Sequence, residues 1–198
     1  MPPREENMST ARSIEAFDKA QRALEAGRFE EAFTVCQEAL KSREFEPGVY
    51  FQMGVALMKL LHFDHSLVAF NAALKLDPRD TNVHNNMGIV LHRLRRLTEA
   101  VHHYRQAILM KPDHASARIG LAAVLCDMRQ FSYAADECRI AINIAPEKFQ
   151  AHHNLGDALR GIGNLPAALE AYIKAQELAP DNPLVRSKID SLKETMRG

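Results

Sequence analysis

From residue 47 onward, apolar residues recur at intervals of three and four, as in Met87, Val90, Leu91 and Leu94 and again in Val101, Tyr104 and Ile108. That spacing lines one face of an α-helix, and the alternation expected of strands is not indicated. The helical segments fall within a longer period: Pro78, Pro112, Pro146 and Pro180 each follow the last by 34 residues. With Pro as the thirty-second position, the frame defines units 47–80, 81–114, 115–148 and 149–182, and backward extension adds 13–46.

Other columns support the frame. Position twenty-seven reads Ala39, Ala73, Ala107, Ala141 and Ala175, and position twenty reads Ala32, Ser66, Ala100, Ala134 and Ala168. Position eight is small as well (Ala20, Gly54, Gly88, Ala122, Gly156), whereas position twenty-four is Cys36, Phe70, Tyr104, Cys138 and Tyr172. Small side chains let two helices approach and large ones fill the grooves between them, so each unit is expected to be a helical hairpin. Asp64, Thr98 and Ser132, all at position eighteen, are expected to cap the second helix, where Pro166 suits a first turn. The Pro at thirty-two ends that helix, since it lacks an N–H and disfavours a helical residue before it.

Composition narrows the function. The 25 Lys and Arg balance the 25 Asp and Glu, and 46% of the residues are hydrophobic, a globular profile without the excess charge that nucleic acid or anionic membrane attracts. Three Cys without regular spacing make neither a disulfide framework nor a zinc site, which points to a reducing compartment. No apolar stretch approaches the ~20 residues of a membrane span, and residues 1–12 lack a secretory core, so a cytoplasmic location without membrane insertion is expected. Those twelve residues are read as a flexible extension.

The 34-residue pattern, with Leu-Gly near positions seven and eight, Ala at twenty, an aromatic at twenty-four and Pro at thirty-two, resembles the tetratricopeptide repeat. Unit 149–182 carries it most fully, in HHNLGDAL and NLPAALEAYIKAQELAP, while unit 13–46 has Lys19 and Glu44 at positions seven and thirty-two and reads as a polar cap. The resemblance implies an all-α, right-handed superhelical solenoid of five helical hairpins. Residues 183–198 read as a C-terminal capping helix, with Leu184, Ile189 and Leu192 covering the last repeat.

In this family first helices line the concave surface. The resemblance therefore implies a groove containing Phe51, Gln52, Val55, Asn82, Asn85, Asn86, Ile89, Ile119, His153 and Asn154. Amides pair with peptide backbone whatever its sequence, and apolar neighbours accept side chains, so the expected ligand is an extended peptide or a helix of a partner protein. Relatives carry an Asn ladder at position six, matched by Asn86 and Asn154 and broken by Asp18 and Gly120. The basic clamp with which other relatives hold C-terminal carboxylates is absent, because positions two, five and six hold no Lys or Arg.

Competing chemistry is weaker. His62 with His65, His102 with His103 and His152 with His153 lack a completing Cys or carboxylate, so no metal is expected and the histidines are read as surface groups. Cys36 and Cys138 stand in the large packing column, and only Cys126 lies near the groove. No phosphate loop, nucleophile motif or framed carboxylate pair is present, so no enzyme activity, small-molecule substrate or cofactor is expected. The segment 92–105 is basic, and unit 81–114 has five cations against two carboxylates. That ridge supports an alternative reading as an RNA or acidic-partner contact, and self-assembly of the scaffold is a second alternative.

Overall fold

The computed structural model describes residues 5–41 and 47–197, with side chains from residue 14 onward. Among these residues the chain forms eleven α-helices: α1 (Glu5–Glu25), α2 (Phe29–Lys41), α3 (Pro47–Lys59), α4 (Phe63–Leu76), α5 (Thr81–Arg93), α6 (Leu97–Met110), α7 (Ala115–Asp127), α8 (Phe131–Ile144), α9 (Phe149–Ile162), α10 (Leu165–Leu178) and α11 (Pro183–Thr195). They group into two compact units, Met1–Val90 and Leu91–Gly198. From α3 onward each hairpin repeats with the 34-residue frame, first helices opening at position one and second helices at position seventeen.

Burial explains the columns. Ala73, Ala107, Ala141 and Ala175 are at most 1% exposed and Ala39 is 8%, so the alanines of position twenty-seven occupy alike, closed surroundings. At position twenty, Ser66 is also fully buried, and its hydroxyl donates to the Gly54 carbonyl at 2.7 Å, which satisfies the polar atom this column otherwise lacks. The large side chains of position twenty-four press on glycines. A Cβ on Gly54 would lie 2.5 Å from the Phe70 ring, and one on Gly156 would lie 2.5 Å from the Tyr172 ring. Tyr104 leans instead onto Gly120 of the following first helix, where a Cβ would again lie 2.5 Å from the ring. Gly120 therefore breaks the Asn column because an aromatic ring occupies the space of its side chain.

The turn inside each hairpin has its own recurring cause. Position fifteen is left-handed in all five repeats, at Gly27, Leu61, Arg95, Arg129 and Gly163, with φ between 59° and 93°. The next residue's N–H then reaches back to position eleven: Arg28 to Ala23, His62 to Leu57, Arg96 to Leu91, Gln130 to Leu125 and Asn164 to Leu159, at 2.8–3.0 Å. This is the Schellman closure of a helix end, which favours Gly. Leu61 is 71% exposed, so its side chain offers little packing in return for its strained backbone. Leu61→Gly is expected to raise stability by about 0.5–1 kcal/mol, the left-handed strain outweighing the added chain entropy of glycine. A thermal melt checks the sign.

Several expectations are corrected. Residues 5–12, read as flexible, belong to α1; residues 1–4 and 42–46, Glu44 included, lie outside the described residues. The second helices are not capped from position eighteen. Their N-caps are His62, Arg96, Gln130 and Asn164, so Asp64, Thr98 and Ser132 stand inside the first turn, where Pro166 was expected and lies, and Asn164 accepts from the Ala167 N–H. The Schellman closure sets that start two residues earlier than side-chain chemistry suggests. In α11, Val185, Ile189 and Leu192 pack on the last repeat, while Leu184 is 55% exposed. Asn182 caps this helix by accepting from the N–H groups of Leu184 and Val185, which rotates Leu184 outward.

Candidate functional site

In the first unit, the residues expected to line a groove differ in what they leave open. Phe51 and Val55 on α3 and Ile89 on α5 are half-buried, and Phe51 packs on Phe70 with ring centroids 6.1 Å apart. Gln52 is only 5% exposed and Asn85 only 9%, so neither amide is a surface group. Asn86 donates its amide N–H to the Asn82 carbonyl of its own helix at 2.9 Å, and Asn82 is exposed. Asn85 Oδ1 is buried with no hydrogen-bond partner in the chain.

In the second unit, the corresponding faces of α7 and α9 meet through Asn154. Its Nδ2 donates to the Ile119 carbonyl of α7 at 3.1 Å, tying two first helices together. Its Oδ1 lies 3.3 Å from His153 Nδ1. The His153 ring packs on Tyr172 with centroids 5.9 Å apart, and its Nε2 is buried without a partner in the chain. Ile119 and His153 are otherwise half-buried. At position six Asn154 braces two helices and Asn86 bonds within its own, whereas both unpartnered buried side-chain atoms found among the described residues, Asn85 Oδ1 and His153 Nε2, stand at position five.

Beneath this face lies a charged group that the sequence did not bring together. Asp157 Oδ1 accepts from Tyr172 Oη at 2.7 Å and from Lys188 Nζ of α11 at 2.6 Å, with Arg160 Nη2 at 3.8 Å. Burial alone would raise the Asp157 carboxyl, but the hydrogen bonds from Lys188 and Tyr172 outweigh it and hold the group below its ordinary value. Burial raises the Tyr172 phenol, and the Asp157 bond adds to that. Cys126 Sγ sits 4.0 Å from the Asn154 carbonyl, and burial, with Asp157 and Asp127 nearby, pushes its thiol up to about 12. A thiol so rarely ionised is a packing group rather than a nucleophile. Cys36 and Cys138 are at most 1% exposed in their packing column, and burial pushes the Cys36 thiol up to about 12.

His152, read as a surface group, is buried, and so is His84. His84 and His152, both at position four, are 8% and 9% exposed, and each Nε2 faces the preceding Pro carbonyl, Pro78 at 3.4 Å and Pro146 at 3.0 Å. Arg118, at the same position, donates to the Pro112 carbonyl through Nε and Nη2. A position-four donor thus fastens the turn between repeats, a role signalled only by the paired recurrence of Pro at thirty-two and a donor six residues on. The basic segment 92–105 is partly spent on the chain itself. His92 and Arg95 both bind Asp127, and Arg96 forms a two-bond pair with Glu99. Among the described residues no three His, Cys, Asp or Glu side chains converge as a metal site, and no helix is long and apolar enough to cross a membrane.

These features define a helical-repeat interaction scaffold. Family models described as tetratricopeptide repeat match residues 51–108, 93–146 and 149–182, and the chain belongs to the tetratricopeptide repeat family. Its fold class is the all-α solenoid of this family, generally a non-catalytic protein-interaction fold. Among solved structures it is similar to MamA (residues 41 to the end) from Desulfovibrio magneticus RS-1, with TM-score 0.74 and 23% identity over 87% of this chain and 97% of that one. It is also similar to YrrB, described as a tetratricopeptide protein with an unusual peptide-binding site, with TM-score 0.71 and 21% identity over 92% and 93% of the two chains. Comparison with curated protein sequences gives no match.

Proposed function

We propose that this chain is a non-enzymatic adaptor whose first-helix faces hold an extended peptide or helix of a partner protein. The observation that carries the reading is the placing of Asn85 Oδ1 and His153 Nε2, buried and unpartnered in the chain, at the same repeat position. An unmet buried acceptor costs about 1–3 kcal/mol, which a partner's N–H would recover. Both atoms are closed to solvent, so binding calls for local movement that opens them. Half-buried Phe51, Val55 and Ile89 in one unit and Ile119 in the other supply apolar contacts. The peptide-binding site attributed to YrrB supports the same reading.

The test separates binding from folding by sign. Asn85→Leu removes an unmet polar atom and is expected to raise stability by about 1 kcal/mol while weakening peptide binding about fivefold. Calorimetric titration with peptides selected from a random library on the immobilised full chain, alongside a melt, measures both. A variant that is less stable yet binds unchanged contradicts the proposal. The position-six amides carry a different expectation: Asn154→Ala loosens the α7–α9 brace and lowers stability, since its Nδ2 bond is internal.

A further inference from the structure

Adjacent histidines in α9 face opposite hydrogen-bonding demands. His152 Nε2 lies 3.0 Å from the Pro146 carbonyl, which only accepts, so Nε2 carries the proton there. For His153 the neighbours reverse the assignment. The Asn154 amide is oriented by its Nδ2 bond to the Ile119 carbonyl, so the atom 3.3 Å from His153 Nδ1 is the acceptor Oδ1. Asp157 Oδ2, 3.8 Å from the same Nδ1, adds negative charge on that side of the ring. The accepting Asn154 Oδ1, with the Asp157 carboxylate beyond hydrogen-bond distance on the same side of the ring, places the proton on Nδ1 and leaves Nε2 with a lone pair.

We infer that His153 is held in the Nδ1–H form and offers Nε2 as a hydrogen-bond acceptor for a backbone N–H of the bound peptide. This deepens the groove reading and rests on it for the ligand. Asn85 Oδ1 is an acceptor too, so both unpartnered atoms at position five ask for the same kind of group, a donor. An ionised carboxylate offers no such donor, whereas an extended peptide presents one at each non-proline residue. Asn154 is then a positioning residue: braced on α7, it selects the tautomer of the residue before it.

Two-bond proton–nitrogen correlation spectra of the uniformly ¹⁵N-labelled full chain at neutral pH read the tautomers without any ligand, with His152→Gln and His153→Gln used to assign the rings. The expected result is opposite patterns, Nε2 protonated in His152 and unprotonated in His153, with Asn154→Leu shifting His153 toward a mixture. A protonated Nε2 in neutral His153 overturns the inference. The ligand half uses the library-selected peptides with each backbone nitrogen methylated in turn. One position is expected to lose about fivefold in affinity in the wild type and nothing in His153→Leu. Binders indifferent both to methylation and to His153 overturn the acceptor assignment alone, whereas failure to select any peptide overturns the groove reading itself while the tautomer result stands.

Discussion

Tyr172→Ala is expected to destabilise the second unit by about 4 kcal/mol, the range for emptying a fully buried aromatic site. Tyr172 is 0% exposed, seats its ring against Gly156 and anchors its hydroxyl on Asp157 at 2.7 Å, so neither cavity nor carboxylate finds a substitute. The complementary change, Gly156→Ala, replaces a poor helix former with the best one and would gain stability on a free helix. Here its Cβ would lie 2.5 Å from the ring, and the expected result is a loss of about 1–3 kcal/mol. Combining the two changes is expected to cost less than the sum, because the alanine at 156 enters space the ring has left. Denaturant melts of the four proteins give this coupling directly, and additive losses would contradict the packing.

Asp157→Asn is expected to cost about 2 kcal/mol at neutral pH, the scale of a hydrogen bond to a charged group. The side chains of Asp157 and Lys188 are 22% and 28% exposed, so the pair is sheltered enough to matter yet not sealed. The folded-state carboxyl titrates below its ordinary 3.8, which means that the unfolded chain binds the proton more readily. The Asp157 contribution is therefore fully present above that ordinary value and is lost as pH falls through the lower, folded one. Melts across acid pH should show the gap between wild type and variant closing over that interval. A gap that stays constant there would mean the charge is not what Lys188 and Tyr172 hold.

How far the sequence reached can be judged at particular positions. Ala107 and Tyr104 could be placed in the core from recurrence alone, because volume repeats at 34-residue spacing only where surroundings repeat. The left-handed turn at position fifteen was hidden, since only Gly27 and Gly163 declare it while Leu61, Arg95 and Arg129 adopt it under the pull of the Schellman bonds. The side-chain chemistry of the candidate face was not legible. Asn85 and His153 stand in one of several first-helix columns expected to line a groove, but burial of Gln52, the internal use of Asn86 and Asn154, and the joining of Lys188 to Asp157 depend on side-chain directions. Lys188 stands 31 residues from Asp157 in a helix read only as a cap, and no spacing rule links them.

The central claim, that first-helix faces receive the partner, is tested most directly by mapping amide shifts of the labelled full chain on adding a library-selected peptide. The expected result is that first-helix residues, Phe51 and Asn85 in one unit or Ile119 and His153 in the other, move while the exposed second-helix residues Leu109, Tyr133 and Ile140 stay fixed. Shifts concentrated on Leu109, Tyr133 and Ile140, with the four first-helix residues unmoved, would contradict it.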